Sequence, residues 1–213
     1  ALRLVGSEMC IRDSVYVLII NVFLQLTLIF VKNINRMKKL FTLIVLTIAF
    51  SINALLLSSC SVAEKKAVAN IEAKSGSTVS GKVTFIEKEG VVTMSAQLSG
   101  LSKGNHAIHI HAIGDCSAPN GKSAGGHWNP TAENHGKWME APFHVGDIGN
   151  LVVGANGTGM IERTTTLWSI GGKDINKNIV GHAIIIHEGP DDFSSQPSGA
   201  AGPRVGCGEI LRN

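Results

Sequence analysis

The residues of this chain best suited to chemistry are histidines, and they are crowded. Five of the eight fall between His109 and Asp147, at positions 109, 111, 127, 135 and 144, and a sixth, His187, ends the Ile-rich run from Ala183. His109 and His111 stand two apart in Asn-His-Ala-Ile-His-Ile-His, residues 105–111. In a strand, side chains at i and i+2 share a face, so both imidazoles can reach one metal ion. A lone histidine is usually a satisfied core or surface residue, and His-x-His by itself is a weak signal. Here the donor set is larger: His109, His111, His127, His135, His144, His187 and Asp147. Four imidazoles suit Cu(II) in tetragonal geometry, and three imidazoles with a carboxylate suit tetrahedral zinc. Two such sites need eight donor positions from seven residues, so one histidine must serve both ions through its two ring nitrogens.

The elements that must hold these donors are strands and a long loop. Residues 105–111 alternate as a strand, and the stretch after them, rich in Gly, Asn and Pro, reads as a loop. Loops of that length inside a compact domain are usually functional. Around them lie short runs rich in Val, Ile and Thr: one near Val68–Ala73, then 79–85, 92–98, 151–155, 159–166, 181–187 and 205–211. Lys88-Glu-Gly90 is a hairpin signal between the second and third. That gives about eight strands, no convincing helix, no internal repeat and no second domain. The fold class expected is all-β, an eight-stranded barrel or sandwich.

The first sixty residues differ from the rest. They hold six of the 19 Lys+Arg and two of the 16 Asp+Glu, a surplus of four positive charges, so residues 61–213 are net −1. The formal +3 therefore belongs to the leader, and nothing points to nucleic-acid binding. From Met37, Lys38-Lys39, an apolar run, and Leu57-Ser-Ser-Cys60 follow in the order of a secretory signal ending in a lipobox. The expected organisation is a non-native or additional leader over 1–36, a lipoprotein signal over 37–60 with lipid on Cys60, a tether over 61–77, and a working domain over 68–213. The alternatives are an uncleaved anchor and, for the apolar run 15–31, an additional transmembrane helix. Localisation is then exported, periplasmic or at the cell envelope, tethered to a membrane through Cys60. Among the other cysteines, Cys116 and Cys207 lie in the domain, 91 residues apart. An oxidising compartment permits a bridge between them; two free buried thiols are the alternative.

Five segments, taken together, resemble the copper–zinc superoxide dismutases of the bacterial secreted kind. They are Gly-Asn-His-Ala-Ile-His-Ile-His-Ala-Ile-Gly-Asp-Cys (104–116), Ser-Ala-Gly-Gly-His-Trp-Asn-Pro (123–130), His-Val-Gly-Asp-Ile-Gly-Asn-Leu (144–151), Val-Gly-His-Ala-Ile-Ile-Ile-His-Glu-Gly-Pro-Asp-Asp (180–192) and Gly-Pro-Arg-Val-Gly-Cys-Gly-Glu-Ile (202–210). The resemblance covers about residues 68–211 and implies a Greek-key barrel with a long metal-binding loop and a shorter loop before the last strand. It implies copper on His109, His111, His127 and His187, and zinc on His127, His135, His144 and Asp147, with His127 as the bridge. Asp191 matches the carboxylate linking a copper-ligand and a zinc-ligand histidine. Arg204 matches the arginine that receives the anionic substrate, making it and His127 the catalytic residues, and Cys116 and Cys207 match the family's disulfide. His106 and His182 are left as structural or surface residues.

One departure concerns charge. The loop from Glu188 to Pro203 carries no Lys or Arg, whereas eukaryotic relatives put a charged steering element there. Lys122, in the metal loop, could replace it, and otherwise reads as a surface lysine. The function implied is disproportionation of superoxide with copper and zinc as cofactors. The competing reading is a non-enzymatic copper-binding or copper-delivery lipoprotein with a dismutase-like domain. Partners expected are superoxide anion and a membrane, with a homodimer left open.

Overall fold

The computed structural model describes residues 18–24, 26, 48 and 64–213. The chain divides into two units, Ala1–Ser61 and Val62–Asn213. Residues 18–24, 26 and 48 are helical, and no helix among the described residues is long and apolar enough to cross a membrane. The lipoprotein signal (Ile48 apart), Cys60 and residues 61–63 of the expected tether lie outside the described residues.

The second unit is all-β. Its strands are β1 (Lys65–Ala73), β2 (Ser80–Lys88), β3 (Val91–Ser99), β4 (Gly104–His111), β5 (Asp147–Val153), β6 (Gly159–Thr165), β7 (Ala183–His187), β8 (Arg204–Glu209) and the short β9 (Leu211–Arg212). Every pairing is antiparallel, and the order β1-β2-β3-β6-β5-β4-β7-β8 returns to β1, closing an eight-stranded barrel. The β3–β6 and β4–β7 neighbours are out of chain order, as a Greek key requires. Closure removes sheet edges that would otherwise offer unpaired backbone groups. β9 adds a short continuation of β8 on β1. The β2–β3 hairpin turns on Glu89 and Gly90, both left-handed (φ 54° and 77°), the arrangement of a two-residue type I′ loop.

Three boundaries differ from the sequence expectation. β1 starts at Lys65, three residues before the expected Val68, so the stretch assigned to a tether is barrel wall from Lys65 to Ala73. Its inward residues begin with Ala67 and Ala69, too small to register as a hydrophobic period, while Lys65 and Lys66 face out or to the side. β5 starts at Asp147, four residues before the expected 151, because Asp147-Ile-Gly-Asn pairs with β4 although only one of these residues is strongly apolar. The expected last strand breaks at Ile210, whose N–H donates to the His182 carbonyl at 2.8 Å instead of continuing the ladder.

The interior is filled by alternate side chains of the strands, among them Phe85, Met94, Ile108, Ile110, Ile148, Leu151, Ile184 and Ile186, capped by Trp168. β4 and β7 are buried on both faces. Their inward residues, Ile108, Ile110, Ile184 and Ile186, belong to the barrel core, and their outward residues lie beneath the loops. Ala183 and Ile185 of β7 pack with Ala124, Cys116 and Cys207 in a separate apolar cluster under the start of the long loop. The Cys116–Cys207 disulfide, with Cα atoms 5.7 Å apart, ties that loop to β8.

Candidate metal centre

The outward face of β4 presents His109 and His111, and His187 ends β7. Register shifts fall between Ile108 and His109 and between Ile186 and His187. Such bulges turn a side chain away from the plain pleat, and both occur at an intended donor. The loop from Ala112 to Gly146 returns over this face and brings His127, His135 and His144, and Asp147 opens β5. Two groups result. His109, His111, His127 and His187 form one, and His127, His135, His144 and Asp147 form the other, with the donor atoms of each within 4.8 Å of one another. His127 is common to both.

Hydrogen bonds fix which nitrogen of each ring is free. His109 Nε2 donates to Asp191 Oδ2 at 2.8 Å, His111 Nδ1 to the Gly125 carbonyl at 2.9 Å, and His187 Nδ1 to the Gly202 carbonyl at 3.0 Å. That leaves His109 Nδ1, His111 Nε2 and His187 Nε2 facing one another, joined by His127 Nε2. These four and His135 Nδ1 are the buried side-chain nitrogens and oxygens without a hydrogen-bond partner among the described residues. Orphaned buried polar atoms are rare and costly, so five of them converging on two points is the signature of donors arranged for ions. In the second group, His127, His135 and His144 bring Nδ1 to within 2.7, 3.0 and 3.1 Å of Asp147 Oδ1. Asp147 Oδ2 is occupied separately, accepting the N–H groups of His144 and Gly136 at 2.8 and 3.1 Å. The residues fit copper at the four imidazoles and zinc at the three imidazoles and carboxylate.

Electrostatics follow from this packing. Burial pushes His109 down to about 3 and His187 down to about 4, and it also lowers His111 and His127. At neutral pH these rings are uncharged, the form a metal needs. Burial acts to raise Asp147, but the His127, His135 and His144 rings crowded against it outweigh burial and hold the carboxyl far below the usual range. Burial would lower His135, yet Asp147 and Asp191 on its two sides raise it to about 9.

Asp191 joins the two groups. One oxygen accepts from His109 and the other from His135 Nε2, each at 2.8 Å. Two residues without a sequence signal support this arrangement. The Asn150 carboxamide grips the Asp191 backbone, accepting from its N–H at 2.7 Å and donating to its carbonyl at 2.9 Å. The Gln196 carboxamide does the same to His135, both bonds 2.9 Å. Carboxamide clamps have no periodicity or spacing, so sequence reasoning passes over them. His106, left as structural or surface, is buried, with Nδ1 donating to the His187 carbonyl at 3.0 Å and Nε2 against Ser102. His182 stacks on Trp128 with ring centres 4.6 Å apart, outside both groups.

Arg204 opens β8 opposite His187. Its Nη1 donates to the Gly121 carbonyl at 2.8 Å and its Nη2 to the Gly125 carbonyl at 2.7 Å, the same oxygen that holds His111. An open depression of about 570 Å³ runs over it, lined also by Ser75, Asn120, Lys122 and Gly202.

A closed Greek-key barrel carrying two histidine-rich groups joined by one shared imidazole defines a two-metal β protein. The chain belongs to the copper/zinc superoxide dismutase family: residues 79–210 match the model described as "Copper/zinc superoxide dismutase (SODC)". Among solved structures it is similar to one described as "Crystal Structure Analysis of the clock protein EA4". The two are 33% identical over 68% of this chain and 93% of that chain, with a TM-score of 0.61.

Proposed function

We propose that this protein is a superoxide dismutase, converting two superoxide anions and two protons into one O2 and one H2O2. The observation that carries the reading is a fixed guanidinium beside four inward-facing, unpartnered imidazole nitrogens. Copper on His109, His111, His127 and His187 supplies the reversible one-electron couple that the reaction needs, and zinc on His127, His135, His144 and Asp147 supplies a closed structural site. Arg204 binds and orients the anion, because its charge persists at any relevant pH and its unused N–H groups remain available. His127, with Nδ1 turned to Asp147, has Nε2 as the atom on the copper side where a proton can be held. Asp191 keeps His109 and His135 in fixed orientation and tautomer. Metal storage alone has no need of an anion-binding guanidinium. The test is pulse-radiolysis decay of superoxide on copper- and zinc-loaded protein with metal content measured alongside. Catalytic decay that persists under an excess of EDTA, which silences copper outside the protein, is expected; decay abolished by EDTA while the protein keeps its copper would leave copper binding or delivery as the function.

The domain reading is proposed with it: a signal over 37–60 and a lipid-bearing Cys60, followed by a working domain that includes Lys65 onward. Lys38-Lys39, the apolar run and Leu57-Ser-Ser-Cys60 support export and anchoring, and the disulfide in the domain supports export to an oxidising compartment. Mass analysis of the native N-terminal peptide tests it: diacylglyceryl-Cys60 is expected, and an unmodified Met37 would exclude it.

A further inference from the structure

Strand register gives the barrel two distinct ends. Lys65 pairs with Glu87, Lys88 with Val91, Val92 with Thr165, and Ala67 with Arg212. One end therefore gathers the start of β1, the β2–β3 turn, the finish of β6, and β9. Residues 170–178 join it: the Ile170 N–H donates to Glu87 Oε2 at 2.6 Å, and Lys177 Nζ donates to the Thr166 carbonyl at 3.2 Å. Ile175 in this segment is 79% exposed, more than any other large hydrophobic residue described, and Ile86 and Val91 are exposed at the same end.

A single exposed apolar residue needs no explanation. Ile175, however, stands between Lys173 and Lys177, whose stems can lie along apolar surface while their charges stay in water. Charge is also unevenly shared. Six cations (Lys65, Lys66, Lys88, Lys173, Lys177, Arg212) meet four carboxylates at this end (Glu64, Glu87, Glu89, Asp174), while the rest of residues 64–213 is net acidic. An apolar tip between lysines on a relatively basic end is the chemistry of contact with an anionic lipid surface.

Chain connectivity selects the same end. Cys60 precedes Lys65 by five residues, at most about 18 Å of extended chain. Ser75, which lines the depression over Arg204, lies just past the far end of β1. Nine strand residues rising about 3.3 Å each put it roughly 30 Å from that start. We propose that the end carrying Lys65 and Ile175 rests on the bilayer, with the 173–177 tip among anionic headgroups and the opening over Arg204 held away from the membrane. The proposal rests on lipid attachment at Cys60. It has a functional consequence: an anionic surface repels superoxide within about a Debye length, roughly 8–10 Å, and an opening roughly 20–25 Å out, allowing for the tilt of barrel strands, escapes that field.

The test uses the full lipid-bearing chain in phosphatidylglycerol-containing vesicles. Lysines are acylated with a water-soluble ester and quantified one by one by mass spectrometry, against the same protein in detergent. Lys88, Lys173 and Lys177 should label several-fold less in vesicles, while Lys82, Lys103 and Lys122 stay unchanged. Ile175→Asp should return Lys173 and Lys177 to their detergent level. Uniform labelling with lipid present on Cys60, or protection of Lys122 in place of Lys173 and Lys177, would overturn the orientation while leaving the anchor standing. Protection that survives Ile175→Asp would overturn the role of the tip. Absence of lipid on Cys60 in the same mass spectra would overturn the anchor and the orientation with it.

Discussion

Arg204 is held by backbone carbonyls on two of its nitrogens, so its position depends on Gly121 and Gly125 as much as on its own strand. A lysine there would keep the charge and lose the fork, and it could not satisfy both carbonyls in the same geometry. Arg204→Glu should cut superoxide turnover about ten-fold or more and flatten or reverse its fall with ionic strength. Arg204→Lys should lie between. Both are checked by turnover against salt with copper content measured; an Arg204→Glu protein as active as the parent would remove the residue from catalysis. Gln196 acts at one remove, through the backbone of His135. Gln196→Ala leaves a buried N–H and carbonyl unpaired, which should cost about 1–3 kcal/mol of stability and speed zinc loss. Gln196→Glu can accept from the His135 N–H but cannot donate to its carbonyl, so it should recover only part. Melting temperature and zinc release to a chelator read both, and a zinc release rate unchanged in Gln196→Ala would break the link to His135. Gly199 is tighter still: its φ is 69°, and a Cβ would collide with Asp191 Oδ1 beside the His135 ring.

The long loop and the strands beneath it stabilise each other. Ala112–Gly146 supplies three of the seven donors, yet it contains only a short 3-10 turn, Lys122–Ala124. Its order comes from outside: the disulfide to β8, the apolar cluster under Ala124, and the aromatic pair Trp138 and Trp168 with ring centres 5.0 Å apart. Replacing Cys116 and Cys207 together by Ser reopens a 91-residue separation and should lower stability by about 2–5 kcal/mol, with metal lost earlier than in the parent. Denaturant unfolding with metal release followed in parallel checks this; release unchanged relative to unfolding would mean the bridge does not order the loop. At this scale the limits of sequence reading are physical. β4 was legible because His109 and His111 alternate with Ile108 and Ile110, a period that survives burial on both faces. β1 was half hidden because Ala67 and Ala69 fill the narrow interior without looking hydrophobic. β5 was entered late because its first residue, Asp147, is polar and buried for its donors. The histidine groups were visible as a pattern of types, whereas Asn150 and Gln196 act through backbone groups that leave no mark on composition.

Over the whole molecule, the metal-free and metal-loaded forms should answer pH differently. Burial holds His109 and His187 neutral, at about 3 and about 4 against an ordinary 6.5. Below pH 6.5 the unfolded chain takes up protons at these rings that the folded chain refuses. Their contribution is thus full above 6.5 and is lost as pH falls toward 4. His135 runs the other way. Its flanking carboxylates raise it to about 9, so its contribution is full below 6.5 and is lost as pH rises through 9. The metal-free protein should therefore melt highest near pH 6.5 and lower on both sides. Loading changes one arm only. A zinc-bound His135 carries a proton only on Nε2, so the second proton that alkali would remove near 9 is already gone, and the alkaline decline should flatten. The acid arm should persist, because protons compete with the ions for the same nitrogens. Calorimetry of both forms at about pH 4.5, 6.5 and 9.5 makes the comparison. A metal-free melting temperature equal at 6.5 and 9.5 would mean that His135 carries no proton between Asp147 and Asp191. An alkaline decline as steep after loading as before would mean that zinc does not bind there.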